Sequence, residues 1–76
     1  MENKILHINL HLGAHTVSLN VRADQEAFYR EAQVTLNKLY EQFRKTQPKA
    51  SVEQLWMYVA LQVAVNLHSD VRAKSL

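Results

Sequence analysis

Thirteen consecutive residues, Leu55 to Leu67 (LWMYVALQVAVNL), carry only two strongly polar side chains, Gln62 and Asn66. A helix lying on the surface of a small domain shows one apolar stripe, not an apolar girdle. Helical spacing puts Leu55, Val59 and Val63 on one side, with Trp56, Ala60 and Leu67 close by. Met57, Leu61 and Val65 face elsewhere. A chain of 76 residues cannot cover that whole surface alone. The run therefore predicts an obligate dimer, with Leu55, Trp56, Val59, Ala60, Val63 and Leu67 in its interface. The run is too short to span a bilayer, which needs ~20 apolar residues.

Chain length agrees with this reading. It predicts a single domain over residues 1–76. So short a chain rarely builds a core worth more than ~3–5 kcal/mol without disulfides, metal or self-association. The absence of cysteine removes disulfides and thiolate metal sites, which leaves self-association and agrees with a reducing compartment. The first residues, MENKILHINLHL, alternate in polarity and lack a signal-peptide pattern, so a soluble, cytoplasmic protein is expected. The net charge is +2. Basic residues concentrate from Arg22 to Lys49 but alternate with Asp24, Glu26, Glu31 and Glu41. That is a mixed, solvated helix face; a nucleic-acid surface shows a more one-sided basic stripe.

Two segments have the two-residue period of half-buried strands. Leu6, Ile8, Leu10 and Leu12 alternate with His7, Asn9 and His11; Val17, Leu19 and Val21 alternate with Thr16, Ser18 and Asn20. Between them lies the only glycine. With Gly13-Ala14 as a two-residue type II′ turn, Leu10 faces Val17, Ile8 faces Leu19 and Leu6 faces Val21. His11 then faces Thr16, Asn9 faces Ser18 and His7 faces Asn20. Every pair matches in polarity except Leu12–His15 beside the turn.

Asp24 is the expected N-cap of a first helix over about 25–46. Phe28, Ala32, Leu36, Leu39, Tyr40 and Phe43 fall on one side of it. Lys45, Gln47 and the only proline, Pro48, end it. Ser51 and Gln54 form a capping box that opens a second helix over about 52–75. With a hairpin over about 4–21, the expected fold is α+β in the order β-β-α-α. A two-stranded hairpin with one apolar face cannot stand alone; it must lie on the first helix or pair with another copy of itself.

Chemistry is sparse. His7 and His11 lie ~13 Å apart along one strand at ~3.3 Å per residue, too far for one zinc ion with ligand bonds of ~2.0–2.1 Å. His15 and His68 have no carboxylate partner nearby in sequence. Phosphate loops, HExxH and GxSxG are all absent. No metal, no cofactor and no catalysis are expected. Trp56 and Tyr58 read as core or interface aromatics, with Tyr58 the nearer to solvent. Gln62 and Asn66, four residues apart, are either exposed or a buried polar pair fixing helix register.

The segments LHLGAHTVSLNV, DQEAFYREAQVTLNKLYEQF and SVEQLWMYVALQVAVNL resemble the cell-division protein ZapA family over almost the whole chain. SVEQL…VAL and the pair Leu36-Asn37 carry the match best; the hairpin matches in pattern, with a tip about two residues longer than that family's. The family's second helix usually continues into a long coiled coil, whereas this sequence stops at Leu76. The resemblance implies a homodimer, with a tetramer as the alternative. It implies a non-enzymatic protein at the mid-cell division site. There it would bind FtsZ, the tubulin-like division GTPase, and crosslink its filaments, with no specific nucleic acid and no membrane partner. By motif position it implies filament contacts at Glu53 and Tyr58, and at Ala14 and His15 on the hairpin tip. Glu53 also reads simply as a helix-dipole partner in a first turn.

Two other classes compete. A small basic dimer with a polar-faced β segment and two helices also describes ribbon-helix-helix repressors, in which His7, Asn9 and His11 would read bases. A hairpin in place of a single strand, and helices of about twenty residues, oppose that reading. The remaining class is a toxin–antitoxin or adaptor scaffold with an unspecified partner.

Overall fold

A computed structural model describes residues 4–75. The order is β1 (Ile5–Leu12), β2 (His15–Arg22), a 3-10 turn (Ala23–Gln25), α1 (Glu26–Thr46) and α2 (Val52–Ser75). The chain divides into two compact units, Met1–Lys38 and Leu39–Leu76. Helix α1 contributes residues to both.

In the first unit, β1 and β2 form an antiparallel hairpin. All seven expected pairs are present, from Leu6↔Val21 to Leu12↔His15, and Ile5↔Arg22 extends the ladder by one. Gly13 has φ 62°, and among the described residues no non-glycine residue has positive φ. A positive φ at the first loop residue alone is what a type II′ turn requires. The ladder continues one step past the strands, where Ala23 N–H donates to Lys4 O at 2.7 Å. The alternation is read out as burial. Ile8, Leu10 and Val21 form the core, with Leu6 and Leu19 packed against it. Each such side chain contributes ~1.5–3 kcal/mol when fully buried. His7, Asn9 and His11 are exposed.

Asp24 is not an N-cap. It lies inside the 3-10 turn, and its carboxylate accepts from Arg22 Nη2 at 2.7 Å. A carboxylate occupied by a guanidinium has less to offer an open helix end, and the chain enters α1 through the tighter turn.

The apolar stripe of α1 is used only in part. Leu36, Leu39, Tyr40 and Phe43 are half-buried, but Ala32 is exposed and Phe28 is 61% exposed. The α1 side chains that hydrogen-bond to the hairpin are Arg30, Gln33 and Asn37. At ~100° per residue these three lie ~140–200° round the helix from Phe28. The open edge of β1 needs hydrogen-bonding partners, and only the polar side of α1 supplies them.

In the second unit, α1 ends at Thr46, and Gln47 N–H donates to Phe43 O at 2.7 Å. The capping box closes as expected. Gln54 N–H donates to Ser51 Oγ at 3.1 Å, and Ser51 N–H donates to Gln54 Oε1 at 3.0 Å. Tyr40 stacks on Trp56 with ring centroids 4.4 Å apart. Leu55 and Val59 are buried. No helix among the described residues is long and apolar enough to cross a membrane.

Candidate functional site

Two surface elements carry the residues expected at a site, one in each unit. The first is the hairpin tip. Ala14 and His15 are exposed there. The tip is held by side chains of α1. Asn37 Nδ2 donates to His11 O at 2.7 Å, while Gly13 N–H donates to Asn37 Oδ1 at 2.8 Å. His11 N–H donates to Gln33 Oε1 at 2.6 Å, and Arg30 Nη1 donates to Asn9 O at 3.0 Å. Arg30 is itself steadied by Glu26, 3.7 Å away at i−4.

The register explains this arrangement. Leu12 and His15 flank a two-residue loop, so hydrogen-bonded and non-hydrogen-bonded pairs alternate from there. Asn9 and His11 belong to non-hydrogen-bonded pairs, and their backbone groups point away from β2. Arg30, Gln33 and Asn37 satisfy those groups. Sequence reasoning missed all three as a set. Their signal was present: polar residues at i, i+3 and i+7 share one helix face.

The polar face of the hairpin is internally paired. His7 Nδ1 lies 2.9 Å from Asn20 Oδ1, Ser18 Oγ donates to Asn9 Oδ1 at 2.7 Å, and Thr16 Oγ1 lies 3.3 Å from His11 Nδ1. Side chains bonded across the strands are not displayed for base reading. Together with the hairpin in place of a single strand, this opposes the ribbon-helix-helix reading of His7, Asn9 and His11.

The second element is the start of α2. Glu53 stands exposed in its first turn and makes no ion pair among the described residues. Tyr58 is 38% exposed and its ring packs on Phe43, with centroids 5.6 Å apart. Glu53 and Tyr58 point ~140° apart round the helix. The capping box orients the first turn of α2, and Phe43 orients Tyr58.

Of the residues expected in a dimer interface, Leu55 and Val59 are already buried within one chain. Trp56 is half-buried, while Ala60, Val63 and Leu67 are exposed. Met57, Leu61 and Val65 are exposed at 66%, 64% and 49%. Gln62 is half-buried and its Nε2 donates to Asn66 Oδ1 at 3.0 Å. The pair is thus held together within one helix, with Asn66 on the exposed side.

The charge pattern is mixed. Arg44 donates from Nη2 to Glu41 Oε1 at 2.7 Å. That hydrogen bond holds the Glu41 carboxyl below its ordinary value and raises Arg44 in turn. Among the described residues, no three His, Asp or Glu side chains gather to hold a metal ion.

The family model described as Cell division protein ZapA matches residues 8–75. No curated protein and no solved structure matches the chain.

Proposed function

The chain belongs to the ZapA family of cell-division proteins, and on that premise we propose that it binds FtsZ filaments and crosslinks them at the division ring. The observation that carries this reading is the family match over residues 8–75, which includes the hairpin tip, the α1 side chains that hold it and both helices. The protein acts without chemistry. Each chain offers filament contacts at the hairpin tip, Ala14 and His15, and at the start of α2, Glu53 and Tyr58. A homodimer formed through the exposed apolar residues of α2, Ala60, Val63 and Leu67 among them, doubles those contacts. The second contact is then effectively intramolecular, so weak sites carried on one dimer act in parallel and align filaments. The protein works in the cytoplasm at mid-cell.

Glu53 is the sharpest test. It is exposed and makes no ion pair among the described residues, which suits it to meet a basic group on a filament. Glu53→Lys is expected to leave the melting temperature within a few degrees of wild type, and to abolish co-sedimentation with assembled FtsZ. Should that variant bundle filaments like wild type, Glu53 serves only the helix dipole and the site assignment fails. Should the wild type not pellet with FtsZ, the functional reading itself fails.

A further inference from the structure

The two edges of the hairpin are treated differently. On β1, the outward N–H of His11 and the outward C=O groups of Asn9 and His11 all have partners on α1. On β2, the corresponding outward groups belong to Thr16, Ser18 and Asn20, the partners of His11, Asn9 and His7 in the non-hydrogen-bonded pairs. Among the described residues, nothing bonds to the backbone N–H or C=O of these three. Their side chains are occupied across the hairpin instead.

An open edge is normally blunted by charge, proline or a bulge. From His15 to Val21 (HTVSLNV) there is no proline and no Lys, Arg, Asp or Glu, and the pairing runs without a bulge. The apolar face also thins toward the tip along this strand. Val21 is 4% exposed, Leu19 half-buried and Val17 40% exposed. The core therefore stops short of completion beside the unpaired edge.

We propose that the β2 edge is a self-pairing surface: two copies join β2 to β2 antiparallel about a two-fold axis at Ser18, giving a four-stranded sheet. A second copy is the occupant that fits. The edge is neutral, so two copies meet without like-charge repulsion, and a charged peptide finds no ion partner along it. Antiparallel pairing about Ser18 places Thr16 opposite the partner's Asn20 and Ser18 opposite the partner's Ser18. Outward groups meet outward groups at each step. Val17 falls opposite the partner's Leu19, so the exposed end of each apolar face gains apolar cover. Arg22, with its Asp24 partner, stays outside the paired segment. This surface does not depend on the filament-binding reading.

The chain has no native cysteine, so single cysteines report the geometry directly. Opposed hydrogen-bonded residues have Cα atoms ~5.5 Å apart, within the ~4.4–6.8 Å that a disulfide spans. Two Thr16 residues, or two Asn20 residues, would lie four positions out of register, ~13 Å apart. Under mild oxidation, Ser18→Cys is expected to run mostly as a disulfide-linked dimer on a non-reducing gel. Thr16→Cys and Asn20→Cys are expected to stay monomeric, and the double variant carrying both is expected to link. Ser18→Cys linking no faster than Thr16→Cys overturns the proposal. A second measurement needs no oxidation. The amides of Thr16, Ser18 and Asn20 are expected to exchange at least tenfold more slowly at hundreds of micromolar than in dilute protein. Equal exchange at both concentrations means the edge is open in solution, and a second copy is not what covers it.

Discussion

The clasp of Asn37 on the hairpin tip makes a quantitative claim. Asn37→Ala removes two hydrogen bonds at once, the donation to His11 O at 2.7 Å and the acceptance from Gly13 N–H at 2.8 Å. A typical intramolecular hydrogen bond contributes a net ~0.5–1.5 kcal/mol, so the pair is worth ~1–3 kcal/mol. His11 and Gly13 are exposed, so water replaces part of the loss, and ~1–2 kcal/mol is the expected cost. In a domain of this size that shifts the melting temperature down by ~4–16 °C. The loss is local before it is global. In native-state hydrogen exchange, the Gly13 amide should lose protection while amides inside the β1–β2 ladder, such as Leu10 and Leu19, change only with global stability. Asn37→Asp separates the two bonds. Its carboxylate still accepts from Gly13 N–H but cannot donate to His11 O, and it sets a negative charge against that carbonyl. Protection at Gly13 should then survive better than in the alanine variant, while stability still falls. An alanine variant with wild-type melting and wild-type protection at Gly13 would refute the clasp. Because the tip carries Ala14 and His15, the same variant should weaken filament co-sedimentation while Glu53 remains intact.

Other outcomes follow from the same geometry. Ser51→Ala opens the capping box and should cost ~0.5–2 kcal/mol in denaturant unfolding, whereas Ser51→Asp, which keeps a capping oxygen, should cost far less. Val63 is 40% exposed in the single chain, so Val63→Glu would be nearly neutral in a monomer. Buried in a dimer, the charge costs several kcal/mol, and light scattering at tens of micromolar should show an unfolded or aggregated chain; a folded variant with the wild-type mass would exclude Val63 from the interface. Glu41 titrates below its ordinary value of 4.5 because Arg44 donates to it. Its stabilisation is therefore present above pH 4.5 and is lost as pH falls through the lower folded value. A carboxyl NMR titration should place Glu41 below 4.5 in the wild type and return it toward 4.5 in Arg44→Ala.

Much of this architecture was local enough to be read along the chain. The hairpin register followed from two facts that do not need the rest of the molecule. The side-chain period of a strand is two, and only glycine enters a type II′ turn without steric cost. The start of α2 followed from Ser51 and Gln54, whose reciprocal bonds span three residues. The end of α1 followed from a proline that cannot continue a helix. Tertiary structure decided what depended on partners distant in sequence. Asp24 looked like a cap until Arg22 claimed its carboxylate. Phe28 belonged to the apolar stripe of α1 by spacing, yet the edge of β1 required donors and acceptors, so the opposite face of the helix was turned to it. Arg30, Gln33 and Asn37 read as ordinary surface polar residues because their acceptors and donors lie 21 to 26 positions away in sequence. Periodicity reports which side chains share a face. Which face is used depends on where the backbone still lacks hydrogen bonds, and that is settled only when strand and helix meet.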